Sequence, residues 1–458
     1  MKRSRFNFSV ISNFFSNMFT IQETFVVDTD GHASSRRNLL FGNIFSSLGA
    51  NLVAGVYFTS LMLAMGASES YIGYTATIGS ICGLFQFLSP LIMERFPRRK
   101  GLIMGMRAVY HFLHIVVLGI LPLLPIANSL KLVLFMIALL IMNTASNLSS
   151  PGMSAWHFQC LPSAKRLNFL SINNITSTLF AYLSSFLAGL FLDKFELESI
   201  SLGNISPTLS AILILRVVAL VMAVIEILFY LKMKEDPYPK SSSTDNRLGL
   251  KFLLLPLKNR RFMTSISVMI IWTLFTGMIG SYYSIYLLED VKMSYTLLSI
   301  SNMIGLPIYF ISNPFWSRIL QRKPWAKMLM LSQLLYTTPY ILNAFVTPTT
   351  IWLFFLSTTS SLLISPGISL IHTNLLYDNM PEENRTTYLG LYSVLIQLTA
   401  FISQNIGIFI FQLTGDSTIP LFGLDMCNKQ YMNLVTACLL VGACIYTKFV
   451  AKKQAQLA

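Results

Sequence analysis

Charge is scarce in this chain. Asp, Glu, Lys and Arg make up 11% of its 458 residues, where a soluble domain carries roughly a quarter. With 54% hydrophobic residues, that is a membrane-protein composition. Cysteine is scarce too. Cys82, Cys160, Cys427, Cys438 and Cys444 are odd in number and lack metal-type spacing, so neither a disulfide framework nor a metal site is expected. A secretory signal is not expected either, because Asn and Ser interrupt FNFSVISNFFSNMFTI near the N-terminus. There Phe8, Ile11, Phe15 and Met18 recur at helical spacing, which fits an interfacial helix or a weakly ordered tail. No Gly-x-x-x-x-Gly-Lys-Ser/Thr stretch occurs, which excludes that ATP site. No cofactor is expected.

Long apolar runs are plentiful. About twelve approach the roughly 20 residues that span a bilayer: 38–65, 69–93, 101–124, 130–156, 168–192, 209–231, 262–288, 295–317, 325–346, 350–376, 386–412 and 430–448. An all-α membrane protein follows, with the lipid bilayer as its surroundings. The formal net charge of +14 is distributed unevenly over the loops. If the N-terminus is cytoplasmic, 27 Lys and Arg fall on that side and four (Lys131, Lys194, Lys292, Lys429) on the other. Such asymmetry is the positive-inside signature and predicts cytoplasmic termini. The basic charge therefore orients the protein and does not point to nucleic acid.

The loop from Lys232 to Arg261 contains KEDPYPKSSSTDNR and reads as a linker. It separates a tail (1–37) and a six-helix bundle (38–231) from a second bundle (262–448) and a short tail (449–458). The halves share a pattern. SSPGMSAWH at 149–157 aligns with ISPGISLIH at 364–372, so Pro151, Gly152 and His157 recur as Pro366, Gly367 and His372 at an offset of 215. Pro162 and Arg166 match Pro381 and Arg385, and Pro90 matches Pro314. Matching order at near-constant offset indicates two duplicated halves. Proline and glycine are poor helix-interior residues, so the repeated pair predicts matched bends that shape a cytoplasmic gate.

The stretch PLIMERFPRRK at 90–100 resembles the loop motif Gly-x-x-x-Asp-Arg-x-Gly-Arg-Arg of the major facilitator superfamily. Glu94 falls on the acid, Arg95 on the first base, and Arg98 and Arg99 on the closing pair; Pro90 and Pro97 replace the usual glycines. The resemblance implies two pseudo-symmetric six-helix bundles and transport by alternating access. It also implies that Glu94, Arg95 and Arg98 latch the outward-open state, the acid lying near a helix start of the other half, where the dipole favours it.

In that family the first, fourth, seventh and tenth helices line a central cavity. Here each carries a polar stripe: Asn43, Ser47 and Asn51; Asn143 and Asn147; Trp272, Thr276 and Tyr283; Ser357, Ser361 and Ser365. Four-residue spacing stacks side chains on one helix face, although small polar residues also join helices in lipid. None of the four holds Asp or Glu, and the arginine and Gly-Pro pair of the family's drug antiporters are missing. The expected solute is small and neutral-polar or amphipathic, carried by a secondary or facilitative, monomeric transporter of the cell membrane. A proton-coupled efflux pump is the alternative within the family. Outside it, an intramembrane transferase using His157 or His372, or a transporter-like receptor, are the competing classes. Those histidines could also sense pH. Arg107 and Glu226 lie at similar predicted depth and are expected to form an intramembrane ion pair.

Overall fold

The computed structural model describes residues 31–457, apart from 94, 162, 238–254, 321, 382–384, 416–417 and 422–423. The chain folds into helices throughout, with one small hairpin, β1 (Ile419–Leu421) paired antiparallel to β2 (Leu424–Met426). The N-terminal half comprises α1 (Ala33–Val53), α2 (Val56–Ala64), α3 (Glu69–Leu84), α4 (Lys100–His111), α5 (Asn128–Gln159), α6 (Ser163–Leu197) and α7 (Pro207–Leu231). The C-terminal half comprises α8 (Arg260–Thr276), α9 (Gly280–Ile285), α10 (Tyr295–Leu320), α11 (Trp325–Leu335), α12 (Thr337–Ala344), α13 (Trp352–Asp378), α14 (Arg385–Thr414) and α15 (Asn428–Leu457). Among the described residues, eight helices are long and apolar enough to cross a membrane. Shorter or interrupted helices fall between them.

The first passage of each half is broken near its middle. Between α1 and α2, Gly55 adopts φ +58°, a conformation open to glycine because it has no Cβ. Between α8 and α9, the stretch 277–279 leaves the helix. These breaks are a feature that the apolar runs alone do not announce.

The halves meet along α3 and α14, where Gln412 donates to the Tyr74 hydroxyl and Ser80 to Gln404. This antiparallel ladder places the starts of α1 and α8, and the ends of α7 and α15, at one end of the bundle, here termed the tail end. Ser35 accepting from the Lys234 amide and Ser265 accepting from Gln454 lie there. The apolar core follows the same division. At the far end a single cluster spans both halves, joining Tyr57, Leu61, Phe135 and Ala219 to Ile279, Tyr282, Ile408 and Phe411. At the tail end the cores are separate, one around Leu39, Trp156 and Tyr230 and another around Phe262, Trp316 and Ile371.

The repeated Pro-Gly pairs lie inside the continuous helices α5 and α13. A proline strips the hydrogen bond from the carbonyl four residues back. The next carbonyl receives a side-chain donor in both halves: Ser89 donates to Leu148 O at 2.6 Å, and Ser312 and Trp316 donate to Leu363 O at 2.5 and 2.7 Å. The glycines allow close packing. A Cβ at Gly367 would stand 2.5 Å from the Trp316 ring, whereas one at Gly152 would meet the flexible Met93 side chain at 2.9 Å. Gly367→Ala is therefore expected to cost about 1–3 kcal/mol of stability and Gly152→Ala less, since a thioether can move aside. Melting temperatures in detergent check this; an equal or reversed order would defeat the packing explanation.

Candidate functional site

A cavity of about 510 Å³ lies between the halves, at the two helix breaks. Ala54, Gly55 and Val56 border it on one side, and Thr276, Ile279 and Gly280 on the other. Breaks of this kind expose backbone polar groups where an aqueous cavity can satisfy them. Of the residues selected from sequence, Asn51, Thr276, Tyr283, Ser357 and Ser361 line the space. Tyr283 donates to Asn343 Oδ1 at 3.1 Å, and the Tyr336 hydroxyl pairs with Ser361 at 3.0 Å. Asn51 donates to Ser47 O, Thr276 to Trp272 O and Ser357 to Pro339 O. No charged side chain is among the described lining residues.

The other selected residues lie elsewhere. Asn43 donates to Asn173 at 2.6 Å and accepts from the Tyr230 hydroxyl at 2.7 Å, which joins α1 to α6 and α7. Asn143 and Asn147 donate to carbonyls one turn back in α5, and no described residue of α5 lines the cavity. Ser47 is not among the described lining residues; its carbonyl accepts from Asn51. Trp272 borders a separate space described below.

Several lining residues escaped the sequence reading: Asn302, Tyr340, Asn343 and Asn433. Asn433 is 1% exposed; its amide nitrogen donates to Lys429 O, and its Oδ1 has no hydrogen-bond partner among the described residues. An asparagine inside an apolar run was the available signal, but these helices were not among those expected to line a path.

Away from the cavity, Arg107 Nε and Nη2 lie 2.8 and 2.6 Å from Glu226 Oε1, and His111 Nε2 lies 3.1 Å from Oε2. Ser46 of α1 accepts from Arg107 at 2.7 Å. The Glu226 side chain is fully buried. His157 packs its ring against Trp156 and Tyr230, while His372 faces Trp272, so the duplicated histidines occupy different settings. Arg95 and Arg98 are exposed, and Glu94 lies outside the described residues. The acid that does cap a helix start nearby is Glu235, which accepts from the Arg99 and Lys100 amides at 2.5 and 2.9 Å and ties the start of the linker beneath α4.

At the far end, the two halves are pinned by charge. Lys429 of α15 pairs with Asp290 at 2.8 Å and with Glu69 of α3. Asp193 of α6 accepts from the Tyr295 and Thr296 amides, both at 2.9 Å, the arrangement favoured at a helix N-terminus. Tyr295 also bonds Ser60, and Tyr57 bonds Ser185 and Ser299.

The sequence profile of the Major Facilitator Superfamily matches residues 39–404. The chain belongs to this superfamily. It is an integral, multi-pass membrane transporter in family and fold. Solved structures agree on the fold. The nucleoside transporter NupG is similar at 15% identity and a TM-score of 0.65, covering 92% of this chain and 99% of that one. A D-xylose-proton symporter matches at 13% identity and a TM-score of 0.67, covering 90% and 96%. A bacterial homologue of the iron transporter ferroportin, in an inward-facing state, matches at 14% and 0.66, covering 91% and 98%. No curated protein is significantly similar in sequence.

Proposed function

We propose that this superfamily member moves a neutral, hydrogen-bonding solute with an apolar or aromatic face by alternating access, down its own gradient or by secondary coupling. The observation that carries this reading is the cavity between the halves, walled by hydroxyls, amides and tyrosines with no described charged side chain. An ion entering it would lose hydration without a counter-charge, whereas a neutral polar solute could exchange its water for these groups. NupG and the D-xylose-proton symporter, similar in fold, carry solutes that fit this description by name, which supports nucleosides and sugars as the first to test.

The proposal takes twelve spans, the eight apolar helices plus the broken or more polar passages between them, with both termini and the linker cytoplasmic. The protein would act as a monomer in the cell membrane. The shared far-end core then supports an inward-facing state, with Lys429 and Asp193 holding the outer side shut. Glu94, Arg95 and Arg98 would latch the cytoplasmic side in the opposite state.

Purified protein in liposomes tests this. Saturable uptake of a neutral nucleoside or sugar is expected, and Tyr283→Phe combined with Asn343→Leu should reduce it about tenfold, as expected for polar groups left unpaired in a buried site. Product formation without flux would identify an enzyme, and binding without flux a receptor. Full flux in the double variant would remove the cavity from the path.

A further inference from the structure

A second space, of about 490 Å³, is lined among the described residues by the C-terminal half alone. Trp272 of α8, His372 and Ser369 of α13, Tyr392 of α14, and Tyr336 and Tyr377 line it. The Trp272 ring lies 5.2 Å from Tyr336 and 6.0 Å from His372, nearly perpendicular to the latter. Tyr336 borders the central cavity as well, where its hydroxyl pairs with Ser361. Its side chain therefore stands between the two spaces.

We propose that this aromatic chamber is a second ligand site, for a planar, uncharged ring that carries hydrogen-bonding groups. Four aromatic side chains offer ring faces and edges for stacking. No charged group is among the described lining residues, so an ion gains nothing there. His372 Nε2 has no hydrogen-bond partner among the described residues, and a buried polar atom of this kind needs water or a ligand. Ser369 and Thr373 add hydroxyls at the rim. The site does not rest on the identity of the transported solute.

Its position in one half has a consequence. A ligand shifts a two-state equilibrium only through unequal affinity for the states. All described lining residues follow residue 260, so a ring bound here has nearly equal affinity whichever way the halves face. The central cavity, shared by both halves, lacks that property.

The test titrates the purified full chain with adenine, nicotinamide and indole separately, by calorimetry and tryptophan fluorescence. Saturable binding of at least one is expected, with one molecule per chain lost in Ser369→Trp, which fills the chamber from an exposed position, and weakened about tenfold in Trp272→Ala. The Tyr283→Phe/Asn343→Leu variant and Lys429→Ala should each leave that Kd within about twofold. Absence of binding by all three compounds at millimolar concentration overturns the proposal. So does binding that survives Ser369→Trp in a protein of unchanged melting temperature, or that is lost with the central-cavity variant. A Kd that moves with Lys429→Ala would show that both halves form the site, and would overturn it as well.

Discussion

Arg107→Leu is expected to destabilise the protein by about 3–5 kcal/mol, the penalty for leaving one member of a buried ion pair alone. Arg107 supplies two of the three nitrogens around the Glu226 carboxylate, and that carboxylate has no exposure to solvent. His111 would be left as its one described ionisable partner. The variant also removes the bond to Ser46, which ties α1 to this cluster. Arg107→Leu with Glu226→Leu removes both charges together, and replacing a buried pair by apolar groups of similar volume is often close to neutral. The double variant should therefore melt nearer the parent than the single one. Thermal unfolding in detergent and expression yield report this directly, and equal losses in the two variants would mean that the pair is not what holds the helices.

The second large effect is conformational. Lys429→Ala should shift the population of the far-end-open state upward about tenfold. Lys429 is 5% exposed on its side chain, and both carboxylates it joins are about one-third exposed. Solvent screening therefore keeps the effect below that of a fully buried pair. Its removal leaves Glu69 and Asp290 facing each other across the seam, with Glu289 nearby. Burial, and then the charge of Glu69, already hold the Glu289 carboxyl above the usual range, while Lys429 acts in the opposite direction. Asp193→Asn should act in the same direction, because it weakens a charge-assisted cap on α10 supplied by the opposite half. A cysteine at Ser299→Cys, buried between the halves in the closed form, is the reporter, in a background without the native cysteines. Faster labelling by an impermeant maleimide in both variants is expected. Unchanged labelling in both would mean that the shared apolar core alone keeps the far end shut.

The role of the Pro-Gly pairs shows how far sequence and structure each reach. Their recurrence at constant offset was visible in the letters as a repeat. Letters cannot show that a neighbouring serine supplies a donor to Leu148 and to Leu363, or that Gly367 lies against an indole. The helices remain continuous through both pairs, so the visible consequence is close packing of α13 on α10 and of α5 on the segment Ser89–Met93. Interruptions of the helix among the described residues fall at Gly55, at 277–279 and at Tyr336. Gly55 was one glycine among 24 in the chain, and nothing local distinguishes a glycine that unwinds a helix from one that packs it.

The sequence by itself determined the membrane class, the apolar runs and the superfamily, because each is recorded in local composition or motif spacing. It also placed Arg107 and Glu226 at one depth, since helical rise is nearly constant. Only the tertiary structure decided which polar stripe faces the cavity. Asn43 and Asn51 belong to the same stripe, yet one joins three helices and the other borders the path. Lipid and protein interior are equally apolar, so hydropathy assigns a residue to the membrane without saying which neighbour it meets. Helix rotation makes that choice, and it arises from contacts between segments far apart in the chain.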